Sequence, residues 1–228
     1  MLLKPETKID ALRGLPKNKV RVALPAVCRK SEDYQQIIKS LLGAGYKKWE
    51  IANYWGLSVL PEKGIDLSFD SSIYILNSHA MAMAKEMNVS KISFSVEDTE
   101  SNLMVLNENA VLPTTLVVYQ DVPLFISANC IRNNQCSQCN REDKWINLKK
   151  DGVKYQALSS NCQLMLFADN AYCLSSVADK IKADYYRADF CYKKYSADKV
   201  ADIMNKLVNF QQVSNTQSAN VERNVDLF

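Results

Sequence analysis

The chain has 228 residues, of which 47% are hydrophobic, and its formal net charge is +3. This length and composition predict one domain with a sizeable core, and the near-neutral charge excludes a strong general attraction to nucleic acid or anionic membranes. No run of 18 or more apolar residues occurs, so no membrane span is predicted. Residues 1–6 become charged too early for a secretion signal, and the seven cysteines then indicate a reduced, cytoplasmic protein.

Strand and helix patterns alternate along the first half of the chain. The valine-rich residues 19–27 predict a strand, and the next helix begins at Ser31, with apolar residues at helical spacing and Gly43 near its end. The elements that follow show the same alternation: strands at 49–53, 65–70, 91–96 and 115–119, and helices at 78–87 and 99–106. Such repetition is typical of a parallel sheet with helical crossovers.

The alternation stops at residues 129–162, which we interpret as an insertion. Within it, two short strands flank Lys150-Asp151-Gly152 and predict a hairpin. The β-α pattern is then expected to resume with further elements: strands at 163–167 and 185–190, and helices at 171–181 and after Ser196. Residues 1–210 are thus predicted to form one domain. The polar tail, 211–228, is expected to be loosely held or to extend across a neighbouring surface.

Four cysteines of the insertion share the spacing C-x(5)-C-x(2)-C-x(22)-C: Cys130, Cys136, Cys139 and Cys162. In a reduced compartment, thiols grouped in this way are predicted to bind a metal or an iron–sulfur cluster rather than to form disulfides. The two-residue gap lets one tight turn aim two sulfurs at the same ion. The spacing leaves open whether iron–sulfur or zinc is bound.

The remaining cysteines and the single histidine give no recognisable hydrolytic site. Cys173 and Cys191 stand among hydrophobic residues and are predicted to be buried thiols. His79 is the only histidine, and neither H-E-x-x-H nor G-x-S-x-G occurs. A Cys–His pair would require His79 to meet Cys28 or another thiol in space, which the sequence does not reveal.

A series of short motifs follows a fixed order along the chain. An apolar run leads into Asn77-Ser78, a helix follows, and the next strand ends in Ser95-Val96-Glu97. The later motifs continue the order: Tyr119-Gln120, Pro123-Leu124-Phe125, Cys130, Cys136, Cys139, Lys150-Asp151-Gly152 and Cys162. In this order the chain resembles the peptidase U32 family, also called collagenase-like proteases, from about residue 19 to its end.

Some family motifs are altered or missing. Gln120 replaces the usual glycine, and the opening Leu-Ala-Pro-Ala-Gly strand with its Gly-Ala-Asp is absent. The closing Thr-x-Gly-His and Arg-Gly-Val motifs are reduced to Thr216 and Arg223-Asn224-Val225. The chain is therefore similar to the later part of a long member or to a reduced, diverged one.

The resemblance implies a parallel, TIM-barrel-like α/β fold with a cysteine-containing hairpin insertion and with function at the carboxyl ends of the strands. Only about six β-α strands are predicted, where a closed barrel has about eight, so an incomplete barrel that a protein partner completes is an alternative. Polar residues near the predicted strand ends are candidates for the site: Glu97 for catalysis, and Asn53, Asn77, Asp189 and also Asp70 for ligand contacts. Turns and helix caps are the alternative role of such residues.

The activity implied by the resemblance is oxygen-independent hydroxylation of RNA bases or a quinone ring, with a 4Fe–4S cluster. The same resemblance implies the four cysteines of the insertion as its ligands, with zinc as the alternative. RNA would meet basic residues of the insertion such as Arg141 and Lys144. Our leading hypothesis is such an enzyme or its accessory subunit. The alternatives are a collagenase-like peptidase of unknown mechanism and a metal-stapled binding module.

Overall fold

The computed structural model describes residues 1–4, 7, 9–12, 14–129, 142–160, 162–218 and 221. These residues have a mixed α/β fold and divide into two compact units. The first unit contains the described residues of Met1–Val118 and Ser176–Arg187 together with Val221, and the second contains those of Tyr119–Ser175 and Ala188–Ser218. Compactness does not show that either unit folds alone, so the single domain predicted over residues 1–210 stays a prediction.

Twelve strands and five α-helices occur among the described residues. The strands are β1 (Arg21–Leu24), β2 (Lys48–Ile51), β3 (Asp66–Phe69), β4 (Val89–Ser93), β5 (Thr114–Gln120), β6 (Pro123–Ser127), β7 (Lys144–Lys150), β8 (Val153–Ser160), β9 (Gln163–Ala168), β10 (Ala171–Cys173), β11 (Tyr185–Asp189) and β12 (Thr216–Gln217). The helices are α1 (Glu32–Gly43), α2 (Ser78–Glu86), α3 (Glu100–Glu108), α4 (Ala178–Ile181) and α5 (Ala197–Val208). None of these helices is long and apolar enough to cross a membrane.

The first unit is built on a parallel sheet with the order β1-β2-β3-β4-β5, and β11 pairs with β5. The predicted alternation of strands and helices over the first half of the chain is confirmed by β1–β5 and α1–α3. The α/β class is therefore correct.

The two faces of this sheet differ in polarity. Successive side chains of a strand point to opposite faces, and β1, β2 and β3 each alternate a polar or small residue with a buried apolar one. Trp49 and Ile51 lie on the apolar face, whereas Lys48 and Glu50 lie on the other. A parallel sheet is usually apolar on both faces. The polar face therefore sets this sheet apart and brings charged side chains together.

The helices of the first unit bury apolar residues, and α2 and α3 begin at capping side chains. Ile38 and Leu41 are the buried residues of α1, and Met81 and Ala84 are those of α2. The Thr99 side chain accepts a hydrogen bond from an N–H of the first turn of α3, which satisfies a backbone donor that the helix leaves unbonded. Such caps mark the starts of α2 and α3, whereas the prediction that Ser31 caps α1 is wrong, because its side chain forms no cap hydrogen bond.

The second unit contains an antiparallel sheet with the order β6-β9-β8-β7. The predicted hairpin is confirmed as β7–β8: its turn residues Asp151 and Gly152 both have a positive φ, 51° and 82°, as a two-residue type I′ turn requires. On one face, Leu158, Met165 and Phe167 form an apolar cluster. Residues 130–141, which include three of the predicted metal ligands, lie outside the described residues.

The prediction that β-α alternation resumes after residue 162 is wrong for β9. This strand lies antiparallel between β6 and β8. Only residues 161–162 join β8 to β9, whereas a parallel crossover needs about a dozen residues or more. The strand β6 was not predicted at all, although it supplies the other neighbour of β9.

The helix predicted over residues 171–181 begins seven residues late. Residues 171–173 instead form β10, which pairs antiparallel with the end of β5 and parallel with β12. Tyr172 and Cys173 are almost fully buried in this strand, so tertiary packing overrides the local pattern. The described part of the tail is therefore not loosely held: β12 pairs with β10, and Val213 is buried.

Gly56 occupies a position that no larger residue can share. It follows β2 in a 3-10 turn, and a Cβ at this position would overlap the Ile51 side chain, lying 2.9 Å from its Cβ and 3.3 Å from Leu24 Cδ1. We expect Gly56→Ala to lower the free energy of unfolding by about 1–3 kcal/mol, measured by urea denaturation. Gly43→Ala is the control, because Gly43 ends α1 with no atom within 4 Å of such a Cβ. Equal effects of the two substitutions would contradict the packing argument.

Candidate functional site

Two of the asparagines predicted near strand ends form caps. The Asn53 side chain accepts a hydrogen bond of 3.2 Å from the N–H of Trp55, at the start of the 3-10 turn after β2. Asn77 lies at the start of α2 rather than at a strand end, and its side chain accepts a hydrogen bond of 2.9 Å from the N–H of Ala80. Both amide oxygens therefore bond to backbone. A role of these residues in substrate binding stays a prediction.

Glu97 accepts a hydrogen bond from a tyrosine whose backbone is in an unusual conformation. The Tyr74 hydroxyl donates to Glu97 Oε1 over 3.0 Å, and Tyr74 itself has a left-handed backbone with φ 58°. Burial and the Glu97 carboxylate raise the pKa of Tyr74, so the phenol keeps its proton. The catalytic role predicted for Glu97 stays a prediction.

In the second unit, Asp189 ends β11 and accepts a hydrogen bond of 2.9 Å from the N–H of Cys191, as a turn former does.

Cys162 lies at one end of the antiparallel sheet. It occupies the turn between β8 and β9, has a left-handed backbone with φ 61°, and its side chain is exposed. The other three predicted ligands, Cys130, Cys136 and Cys139, lie outside the described residues. Within the part of the chain that is described, no group of three or more His, Cys, Asp or Glu side chains could hold a metal ion.

The strand β6 ends, and the strand β7 begins, at this same end of the sheet. Ser127, near the end of β6, pairs with Leu164 of β9, and Lys144, at the start of β7, pairs with Ser159 of β8. Cys162 lies in the turn between those two partners. The end of β6 and the start of β7 therefore lie at the same end of the sheet as Cys162.

The other described cysteines are not arranged as nucleophiles or ligands. Cys173 is fully buried, as predicted, whereas Cys191 is exposed in the bend after β11, so the prediction that it is a buried thiol is wrong. Burial raises the pKa of the Cys28 thiol, which is the opposite of the shift that activates a nucleophile. His79 is exposed in the first turn of α2.

Arg187 holds two buried carboxylates on the polar face of the parallel sheet. Its Nη1 lies 3.0 Å from Glu50 Oε1, and its Nη2 lies 2.7 Å from Asp70 Oδ2. Burial raises the pKa of Glu50, and the charge of Arg187 only partly opposes this. Burial also acts to raise the pKa of Asp70, but Arg187 and the hydrogen bonds from Ser72 outweigh it, so this pKa lies below its ordinary value. The two carboxyls that share one guanidinium therefore have pKa values displaced in opposite directions.

A second ion pair lies at the amino ends of the same strands. Arg21 donates from Nη2 to both carboxylate oxygens of Asp66, each over 2.8 Å, and from Nη1 to the backbone oxygens of Trp49 and Asp66. Ser90 also donates to the Asp66 carboxylate. Although burial opposes it, these donors hold the pKa of Asp66 below its ordinary value. The pair is thus fully ionised at neutral pH.

A cleft of about 470 Å³ lies in the first unit, and four of these charged residues line it: Arg21, Glu50, Asp66 and Arg187. Lys91 reaches it from β4, and its ammonium lies 4.8 Å from the centre of the Tyr185 ring. Burial, assisted by the charge of Arg21, lowers the pKa of Lys91. Glu50 and Lys91 thus have pKa values displaced toward neutrality from opposite sides. Such displacement within a cleft is typical of binding and catalytic sites.

A second cluster of polar side chains lies in the second unit. Asp121 is buried, accepts a hydrogen bond of 2.7 Å from the Tyr195 hydroxyl, and lies 3.1 Å from the Lys193 ammonium. Lys193 also donates to the backbone oxygens of Ala168 and Asp169. Burial, with hydrogen bonds to Tyr119 and Asp121, strongly raises the pKa of Tyr195. Because each of these groups is engaged internally, the cluster fastens the segment after β11 to the β9–β10 turn.

No protein-family model, curated protein or solved structure matches this chain. The likeness to the U32 family therefore rests on the short motifs themselves. Two structural features bear on function: the end of the antiparallel sheet that contains Cys162, and the charged cleft of the first unit.

The sequence reasoning missed the charged cleft, although a signal for it was present. Strands β1, β2 and β3 begin with Arg21, Lys48 and Asp66, and each then alternates with apolar residues. This period of two indicates a sheet with one polar face. Arg187 gave no such signal, because it lies 137 residues from Glu50 and 117 from Asp70.

Removing the guanidinium of Arg187 should leave two largely buried carboxylates without a cation. We expect Arg187→Leu to lower the free energy of unfolding by about 3–5 kcal/mol at pH 7, because uncompensated buried charges are costly. The pKa of Asp70 is lowered in the wild type, so the stability it contributes is present at neutral pH and is lost as the pH falls through that pKa. In the variant, burial without the guanidinium should raise the pKa of both carboxyls, so they take up protons between pH 7 and pH 4 and the penalty of the substitution should shrink.

Urea denaturation between pH 7 and pH 4 measures this penalty. Lys180→Met is the matched control, because Lys180 forms an exposed ion pair with Glu100 in the same unit and should change stability little at any pH. A penalty for Arg187→Leu that does not depend on pH would show that lost packing, rather than the stranded charge, is its cause.

Proposed function

We propose that this chain is a U32-like protein with a barrel-like α/β fold that binds a 4Fe–4S cluster through Cys130, Cys136, Cys139 and Cys162. We further propose that it takes part in oxygen-independent hydroxylation of RNA or a quinone-like substrate, as the enzyme or as an accessory subunit. The observation that carries the proposal is the position of Cys162 in the β8–β9 turn, at the end of the antiparallel sheet where β6 ends and β7 begins.

The donor chemistry of this sheet end supports a thiolate-bound centre. Cys162 is exposed, so its sulfur is not taken up by the apolar core as the Cys173 sulfur is. A left-handed backbone at a non-glycine residue is uncommon, which supports a special role for the position. A reducing cytoplasm would keep four such thiols available to a metal.

The cluster accounts for the type of reaction proposed. When bound, an iron–sulfur cluster supplies the electron transfer that hydroxylation without O₂ requires. The chain's own residues would supply the thiolates and the surroundings of the sulfurs, which tune the reduction potential. The same four sulfurs could hold one zinc ion in a tetrahedral site, and this is the outcome to be separated by experiment.

Metal analysis of anaerobically purified protein tests the proposal. We expect about four iron and four sulfide per chain, with visible absorbance from the cluster. Cys162→Ser should lose most of the iron, because serine replaces a thiolate ligand with a hydroxyl of similar size. Cys191→Ser is the matched control, since Cys191 is also exposed in the second unit and should leave the iron content unchanged.

Three outcomes would contradict the cluster. About one zinc without iron would leave a structural site and favour a binding role. No bound metal would overturn the metal centre altogether. Equal loss of iron from Cys162→Ser and Cys191→Ser would remove Cys162 from the ligand set. If the cluster is found, RNA and quinone precursors incubated anaerobically with the oxidised protein and a two-electron acceptor should gain one oxygen atom from water, measured by mass spectrometry in 18O-labelled water, while the acceptor takes up the two electrons released.

A further inference from the structure

The cleft of the first unit is formed by two rows of residues across the parallel sheet. Arg21, Lys48 and Asp66 are Cα partners at the amino ends of β1, β2 and β3. The next row contains Glu50, and it reaches Lys91 on β4 through Ser68. Because residues two apart in a strand share a face, both rows project into the cleft of about 470 Å³.

Positive charge is in excess in this cleft. Its lining contains two carboxylates, Glu50 and Asp66, and five cationic side chains: Lys19, Arg21, Lys48, Lys91 and Arg187. Asp70 contacts Arg187 from outside this lining and offsets one further charge, so the surplus is two positive charges. A concave surface of one sign focuses the electrostatic field and attracts ligands of the opposite sign.

The two carboxylates are already engaged by the two arginines. Both oxygens of the Asp66 carboxylate accept hydrogen bonds from Nη2 of Arg21, and Glu50 Oε1 lies 3.0 Å from Nη1 of Arg187. Neither carboxylate lies within 4 Å of a lysine ammonium among the described residues. The surplus charge is thus that of the lysines.

Lys48 and Lys91 face the cleft and make no direct contact with a carboxylate of the described residues. In the part of the chain that is described, neither side chain forms a hydrogen bond or an ion pair, although Lys48 acts on Asp66 through space. Lys91 lies over the Tyr185 ring, and burial lowers its pKa. The charges of Glu50 and Asp66 only partly offset the burial of Lys91, so an anionic ligand in the cleft would stabilise this cation further.

We propose that this cleft binds a small molecule through its phosphate group. A surplus of two positive charges suits a phosphate dianion better than a single carboxylate, and lysines bind phosphate as point charges. The volume lies within the range of small-ligand sites, about 300–1,000 Å³, and the cations converge on one cavity rather than following a line, as a nucleic-acid backbone would require. This site is separate from the cysteines of the proposed function and does not depend on them.

Isothermal titration calorimetry with inorganic phosphate and pyrophosphate tests the proposal on the full chain. Acetate serves as the comparison anion, and all titrations are made at one ionic strength because salt screens such contacts. We expect both phosphates to bind, and Lys48→Gln and Lys91→Gln each to weaken binding by about tenfold, a loss of about one charge-assisted contact. Lys47→Gln should bind as the wild type does, because Lys47 is the exposed neighbour that lies outside the cleft.

Several results would overturn the proposal. Absence of binding by both phosphates is one, and equal binding of acetate is another, since it would indicate attraction to any anion. Equal weakening by Lys47→Gln would place the effect in the overall charge rather than in the cleft. If single-stranded RNA bound through Lys48 and Lys91 while pyrophosphate did not, the ligand would be a nucleic acid and not a small molecule.

Discussion

The contact of Arg187 with Glu50 and Asp70 makes the polar face of the parallel sheet possible. Both carboxylates are largely buried, and without a cation they would have to give up their charge or leave the sheet. The single guanidinium bridges β2, the end of β3 and β11, which are far apart in the sequence. The sheet can therefore have an apolar face covered by helices and a charged face at the cleft.

Periodicity along the chain was sufficient to predict the first unit and insufficient for the second. The strands β1–β5 and the helices α1–α3 follow from local alternation, from glycine near a helix end and from caps such as Asn77. The errors at β9 and β10 have other causes. A short apolar run reads alike in a parallel and an antiparallel sheet, which concealed the direction of β9, and tertiary packing overrode the local helical pattern at β10. The two residues between β8 and β9 would have decided the direction, because no crossover fits there.

The two candidate sites also differ in how far local sequence patterns predict them. The four cysteines were visible because ligand spacing is a local property of the sequence, and the hairpin that returns the chain toward Cys162 was signalled by Asp151-Gly152. The charged cleft depends on register between strands, which brings Arg21, Lys48 and Asp66 into one row. No single-sequence pattern states that register. Asn53 and Asp189 illustrate the converse, since residues that attract attention at strand ends bond to nearby backbone.

The shared guanidinium also constrains how this sequence can change over time. Replacing Glu50 alone by an apolar residue would leave Arg187 with one carboxylate, and replacing Arg187 alone would leave two carboxylates without their cation. Neither intermediate is easily tolerated in a buried setting. The three positions should consequently be inherited as a set, exchanged together or kept together. Across a lineage they would behave as one character, although they lie on three separate segments of the chain.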